Sequence, residues 1–310
     1  MNTQHQFPTV HWLWGGGISY VYEVHPHIVI YETFSQHPPC PSIIQCFFYT
    51  DNGIFLEYMR DISLSTRIQD NHIRNQQTKQ VTEVKRLEPL SLRKRWMNDL
   101  AQAIAFLESL DLAHGDLRPD NILLDRDQLK VSDFDCTAEI GTEFEACIPP
   151  YGRLLNSTES DEGRCGTAGF LGPRTELFVL GSLYYLINYG FEVYGDRRLT
   201  EDPKKHGPEV VDLLQNMVFP ELNGGDSLID DIIDKCWHNK YATVGELAAY
   251  TEMLVDEGTN EEGNSAETSA ITESRKMFCR DLEQRGLLRL LSSGEPEHLG
   301  FGFEWYRYSS

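Results

Sequence analysis

His114-Gly115-Asp116-Leu117-Arg118-Pro119-Asp120-Asn121-Ile122-Leu123-Leu124 is followed, after one short turn, by Val131-Ser132-Asp133-Phe134-Asp135. The first run reads H-x-D-x-x-x-x-N and the second reads D-F-x. Two carboxylates, an amide and a guanidinium stand in fixed register beside the apolar runs Ile122–Leu124 and Leu129–Val131, which read as short strands. A polar turn with Asp and Asn as caps would account for a lone H-x-D. It does not account for four polar positions in register.

Upstream, Leu92, Trp96, Leu100, Ala103, Leu107 and Leu110 recur at helical spacing, so a long amphipathic helix delivers the chain to His114. Before it, the polar stretch from Asp70 to Lys79 reads as loop. Downstream, a segment rich in Gly, Thr and Pro runs from Asp133 to Pro173. Three helices are expected over Glu209–Met217, Leu228–Trp237 and Val244–Leu254. The run from Leu177 to Ile187 is apolar but too short to span a bilayer, and it reads as a core helix.

The two ends of the chain look different. Residues 10–59 alternate in the manner of short strands, with an Asp51-Asn52-Gly53 turn between two of them, Ile43–Phe48 and Gly53–Met59. Tyr31–Pro38 reads as a helix end stopped by proline. Residues 256–270 are acidic and poor in apolar side chains, as a loop would be. Residues 271–310 are expected to form a helix from Glu273 to Leu291 and an aromatic tail, Phe301–Tyr308, both packing on the helical lobe of 60–255.

Composition narrows the partners. A formal net charge of −21 over 310 residues speaks against nucleic acid and anionic membrane surfaces. Seven cysteines, odd in number and scattered, fit reduced thiols rather than a disulfide framework, and Met1–Gln6 has no signal-peptide pattern. A cytoplasmic protein is the expectation. His25, His27, Cys40 and Cys46 cluster without matching any zinc spacing.

From Leu56 to about Leu254 the chain resembles a eukaryotic-type protein kinase, and its Asp133-Phe134-Asp135 is similar to a fungal group of serine/threonine kinase-like proteins with a D-F-D motif. Gly166-Thr167-Ala168-Gly169-Phe170-Leu171-Gly172-Pro173-Arg174 resembles G-T-x-x-x-x-A-P-E, and Thr175–Gly181 resembles the S-D-x-W-S-L-G that opens the central helix. The resemblance implies an α+β, two-lobed fold with a truncated β-rich N-lobe (10–59) and a mostly helical C-lobe (60–255). It implies ATP and Mg²⁺ as cofactors and a protein substrate or binding partner. Carried over residue by residue, Asp116 would be the catalytic base and Arg118 the phosphate-side cation. Asn121 and Asp133 would be the metal ligands. Gly15 and Gly17, in Trp14–Tyr22, would form a phosphate loop, although Tyr20 stands at its third glycine and a plain hairpin turn reads equally well. Leu56 would back an adenine pocket, with Glu57 and Met59 offering backbone groups to the base.

Several positions depart from the family pattern. Gly115 replaces the arginine on which a phosphorylated activation loop docks. Asp135 replaces a glycine, removing a residue tolerant of positive φ. Arg174 replaces a glutamate whose arginine partner is also missing, so the expectation is that no unpaired buried charge is left behind and the lobe can still fold. No lysine precedes Lys79, so the strand-three lysine that grips the α/β-phosphates is absent. Residues 10–59 number 50, whereas five strands, a helix and their connections need roughly 65, which places a deletion or mis-joined reading near Ile30/Tyr31. Three functions follow: a serine/threonine protein kinase of low or altered activity; a pseudokinase scaffold; or a small-molecule phosphotransferase of the aminoglycoside kinase type.

Overall fold

The computed structural model describes residues 11–15, 20–25, 28–30, 40–50, 52–61, 63–76, 81–144, 149–255 and 265–291. The chain forms two compact units, one of residues 1–60 with 258–310 and one of 61–257.

The first unit holds an antiparallel five-stranded sheet: β1 (His11–Gly15), β2 (Tyr20–His25), β3 (Ile28–Ile30), β4 (Cys46–Thr50) and β5 (Gly53–Glu57), in the order β1-β2-β3-β5-β4. The sheet is therefore not short of strands. Its third strand, β3, has three residues. The anticipated helix end at Tyr31–Pro38 lies outside the described residues, as does Gly17. Ile54, Phe55 and Leu56 of β5 are buried in succession, as a central strand covered on both faces requires.

The second unit opens with α1 (Leu64–Gln69), capped by the Ser63 hydroxyl, which accepts from the Thr66 amide at 3.3 Å. Within the expected loop over 70–79, His72–Arg74 form a strand, β6, paired antiparallel with β7 (Val81–Val84). The helix α2 (Leu90–Ser109) presents Leu92, Trp96, Leu100, Ala103 and Leu107 as one buried face. It leads to β8 (Leu112–Ala113), then β9 (Ile122–Asp125) paired with β10 (Gln128–Val131), then β11 (Ala138–Glu139).

The core of this unit is α3 (Pro173–Tyr189), buried from Arg174 to Asn188. The Tyr184 hydroxyl donates to the Met97 carbonyl of α2 at 2.9 Å. Three helices follow: α4 (Pro203–Gln215), α5 (Ser227–Trp237) and α6 (Val244–Glu252). Gly181 is where α5 crosses α3: a β-carbon there would lie 2.9 Å from Cys236 Cβ and from Trp237 Cδ1. Trp237 fills the contact, its indole N–H 3.2 Å from the Ser182 hydroxyl and its ring stacked on Phe219 at 4.6 Å.

The last two helices correct the domain expectation. The α7 helix (Ser265–Gln284) begins inside the expected acidic loop, and with α8 (Leu287–Leu291) it belongs to the first unit rather than to the helical one. It packs on β4, with the Arg275 guanidinium 5.5 Å from the centre of the Phe47 ring and Cys279 and Leu282 buried. The reason is in the pattern: the apolar positions Cys279, Leu282, Leu287, Leu288 and Leu291 make a buried stripe. The aromatic tail lies outside the described residues. No described helix is long and apolar enough to cross a membrane.

Candidate active site

The turn between β8 and β9 carries His114 to Asn121 and is fixed from beneath. His114 is fully buried; its Nε2 lies 3.0 Å from the Ser132 carbonyl and its ring 5.2 Å from that of Phe134. Ser132 in turn donates through its amide and its hydroxyl to the Asn121 carbonyl, both at 2.9 Å. The two polar runs recognised in the sequence are thus joined by hydrogen bonds made where water cannot compete.

Glu176, in the first turn of α3, completes this support. Its carboxylate accepts from the amides of His114 at 3.3 Å and Gly115 at 3.4 Å. Burial pushes its carboxyl up to about 7, although the two amides pull the other way. In the sequence Glu176 was visible only as a position in the resemblance. Its burial became legible once α3 was seen to be the core.

Above this floor, the Asn121 side-chain amide donates to the Asp116 carbonyl at 2.8 Å and to Asp116 Oδ2 at 3.1 Å. Arg118 Nε lies 3.3 Å from the same Oδ2. The Asp116 side chain is 24% exposed and that of Arg118 36%, so both are oriented by the protein yet reachable from outside. Asp133 adopts φ 62°, a conformation Asp tolerates better than most residues. The positive φ falls on Asp133 and not on Asp135, so the missing glycine leaves no backbone strain behind. Gly115, by contrast, requires its identity: φ is 76°, and a β-carbon would run into the Cys136 carbonyl.

Asp116, Arg118, Asn121 and Asp133 all belong to the second unit. Gly15, Leu56, Glu57 and Met59 belong to the first. Gly15 ends β1, Leu56 and Met59 are buried, and the Glu57 amide donates to the Gln45 carbonyl at 2.8 Å, so that amide is not what a base would meet. Among the described residues no group of three or more His, Cys, Asp and Glu could hold a metal ion. A Mg²⁺ site does not require one, since this hard cation takes one or two protein oxygens and completes its shell from phosphates and water. The Asp133 carboxylate and Asn121 Oδ1 are donors of that kind.

A pocket of about 300 Å³ adjoins the catalytic turn at Pro119 and is lined by Arg74, Arg197, Arg198, Glu192 and His206 among others. Arg197 pairs with Asp196 at 2.7 Å, and burial raises the Glu192 carboxyl, which accepts from the Tyr151 hydroxyl at 3.1 Å.

The family model for the protein kinase domain matches residues 21–238, more than two thirds of the chain. The chain belongs to the protein kinase family. Testis-specific serine/threonine-protein kinase 1 of Mus musculus is 28% identical over 169 residues, covering 46% of this chain and 43% of that protein. Putative serine/threonine-protein kinase R436 of Acanthamoeba polyphaga mimivirus is 27% identical over 164 residues, with 48% and 51% covered. CBL-interacting protein kinase 26 of Oryza sativa subsp. japonica is 24% identical over 213 residues, with 61% and 40% covered. The chain thus spans about half the length, or less, of these kinases.

In the kinase segment between Asp133 and α3, the Arg174 guanidinium is buried, 7% exposed, but not unpaired: it donates to the Ala168 carbonyl and lies 3.5 Å from Glu162. Reversing the sign at this position moves the acid from α3 to the preceding segment.

Proposed function

We propose that this kinase transfers the γ-phosphoryl group of ATP to serine or threonine hydroxyls of a protein, with a weakened hold on the nucleotide. The observation that carries the reading is the catalytic turn itself, in which Asp116 is aimed by Asn121 and Arg118 and held from below by Glu176. Phosphoryl transfer is mostly positioning and charge neutralisation, and such a pre-set turn supplies both. Asp116 takes the proton of the attacking hydroxyl on its carboxylate. Arg118 directs its exposed end to the oxygens of the transferring group. Asn121 Oδ1 and Asp133 hold Mg²⁺, which when bound neutralises the phosphates. The family resemblance assigns Leu56 and the backbone groups of Glu57 and Met59 to the base, through the Glu57 carbonyl rather than its amide, and Gly15 and Gly17 to the phosphates.

A second reading, a pseudokinase scaffold, is favoured by one feature: no lysine precedes Lys79. The two readings separate in a transfer assay with labelled ATP and dephosphorylated casein, run with Mg²⁺ and with EDTA. Mg²⁺-dependent transfer with a KM for ATP at or above about 1 mM, the upper end of the usual enzyme range, supports the kinase reading. Absence of transfer at saturating ATP would leave the scaffold.

A further inference from the structure

Two arginines of the second unit are almost fully buried, and both are neutralised by one short turn. Arg153 and Arg174 are 6% and 7% exposed. The turn is Glu159-Ser160-Asp161-Glu162, its last three residues forming a 3₁₀ helix. Glu159 clasps the Arg153 guanidinium with both oxygens, Arg153 Nη1 lying 2.7 Å away, and also accepts from the Asn156 amide at 3.0 Å. Arg153 stacks its guanidinium over the Phe178 ring of α3 at 5.7 Å. Arg174, one helical turn before Phe178, faces Glu162 at 3.5 Å and donates to the carbonyl of Ala168.

These contacts reach the strand-like stretch 166–171, the part of the segment that resembles the substrate-holding G-T-x-x-x-x-A-P-E. Leu155 exchanges hydrogen bonds with Thr167 and Gly166 at 2.8 and 2.9 Å. Phe144 donates to Gly169, and Gly141 and Thr142 pair with Leu171. Gly169 has φ 76°, and a β-carbon there would run into the Glu162 carbonyl and lie 2.9 Å from the Arg174 guanidinium. The turn, the two arginines and the stretch 166–171 are therefore one packed unit. A buried guanidinium without its anion would be expelled, so the order of the stretch depends on those carboxylates.

We propose that Glu159 and Glu162 are positioning residues that supply, from the chain itself, the anionic charge that sets stretch 166–171, so that the segment is ordered without phosphorylation. This deepens the kinase reading and rests on it for the substrate-facing role of the stretch. Gly115 fits the same logic: a side chain there would be strained at φ 76° and would meet the Cys136 carbonyl, and the chain carries no arginine at the position where a phosphate would dock.

The experiment compares the whole chain with its Glu159→Gln, Glu159→Asp and Glu162→Gln variants, reading casein phosphorylation and amide hydrogen exchange together. Glu159→Gln is expected to raise the KM for casein about tenfold, with the KM for ATP unchanged, and to speed exchange at Leu155, Gly166 and Leu171 by a similar factor. Glu159→Asp, which keeps the charge, is expected to restore most of both, and phosphatase treatment of the wild type to change neither. If the wild type transfers no phosphoryl group, the kinase reading falls, while the exchange data still decide the lock. Unchanged exchange in both glutamine variants, or a several-fold loss of activity or order after phosphatase treatment, would overturn it.

Discussion

The catalytic turn and the β-sheet unit of this protein have kept different amounts of the kinase pattern. Between His114 and Asp133 the side chains of His114, Asn121 and Ser132 are tied by hydrogen bonds to the backbone of the same two runs, and the pattern is broken at Gly115, where it has an arginine. The five-stranded sheet has the strand order of a complete layer, yet its third strand has three residues and no lysine precedes Lys79. The difference teaches which half of the chemistry is held by the fold. The catalytic turn is bound to the core helix α3 through Glu176, so its residues also serve stability. Under the kinase reading, nucleotide-gripping side chains serve the ligand rather than the core, so their loss is expected to cost the fold little.

The most severe way to break the comparison is Asp133→Ala. If the charge-neutralising side is intact, removing one of its two oxygen donors should lower the rate by about 10²–10³-fold, at little cost to the melting temperature. A rate within twofold of the parent would show that the turn is architecture alone.

The link between turn and core is sharpened by pH. The Glu176 carboxyl sits at about 7 in the folded protein, against an ordinary value near 4.5. The folded state therefore binds the extra proton, and stability falls as pH rises from about 4.5 to about 7. The contribution is up to about 3 kcal/mol, partly offset because the charged form is the better acceptor for two amides. Glu176→Gln should flatten this part of the profile in denaturant titrations. An unchanged slope would mean that Asp99, whose carboxyl burial also raises to about 6, dominates the pH response.

Gly115→Ala probes the turn at its tightest point. With φ 76° and the Cys136 carbonyl in the way, the substitution should cost about 1–3 kcal/mol and lower the melting temperature. Gly181→Ala, at the crossing of α3 and α5, should cost a similar or smaller amount by overpacking, about 1–2 kcal/mol, and leave the KM for ATP unaltered. A neutral result at Gly115 would show that the turn at Cys136 gives way, and at Gly181 that α5 shifts freely.

Much of this was legible in the sequence, and the failures have physical causes. The catalytic turn was readable because spacing alone fixes four polar residues. The helices α2, α5 and α6 were readable because their apolar residues fall at helical spacing. The β6–β7 hairpin was not, since its residues are polar and half exposed. The partner of Arg174 was not readable, because nothing local marks Glu162, which lies twelve residues earlier in an irregular segment. The place of α7 was misread because an apolar stripe predicts that a helix packs, but not on which unit. Gly115 looked like the loss of an arginine; its φ makes it a requirement of the turn.

The central claim is that Asp116 is a working base in a pre-set turn, and one comparison tests it most directly. Labelled phosphoryl transfer to casein at saturating ATP and Mg²⁺ should fall by about 10²–10⁴-fold in Asp116→Asn, with the melting temperature held within a few degrees. Equal transfer by the parent and the variant would contradict the account.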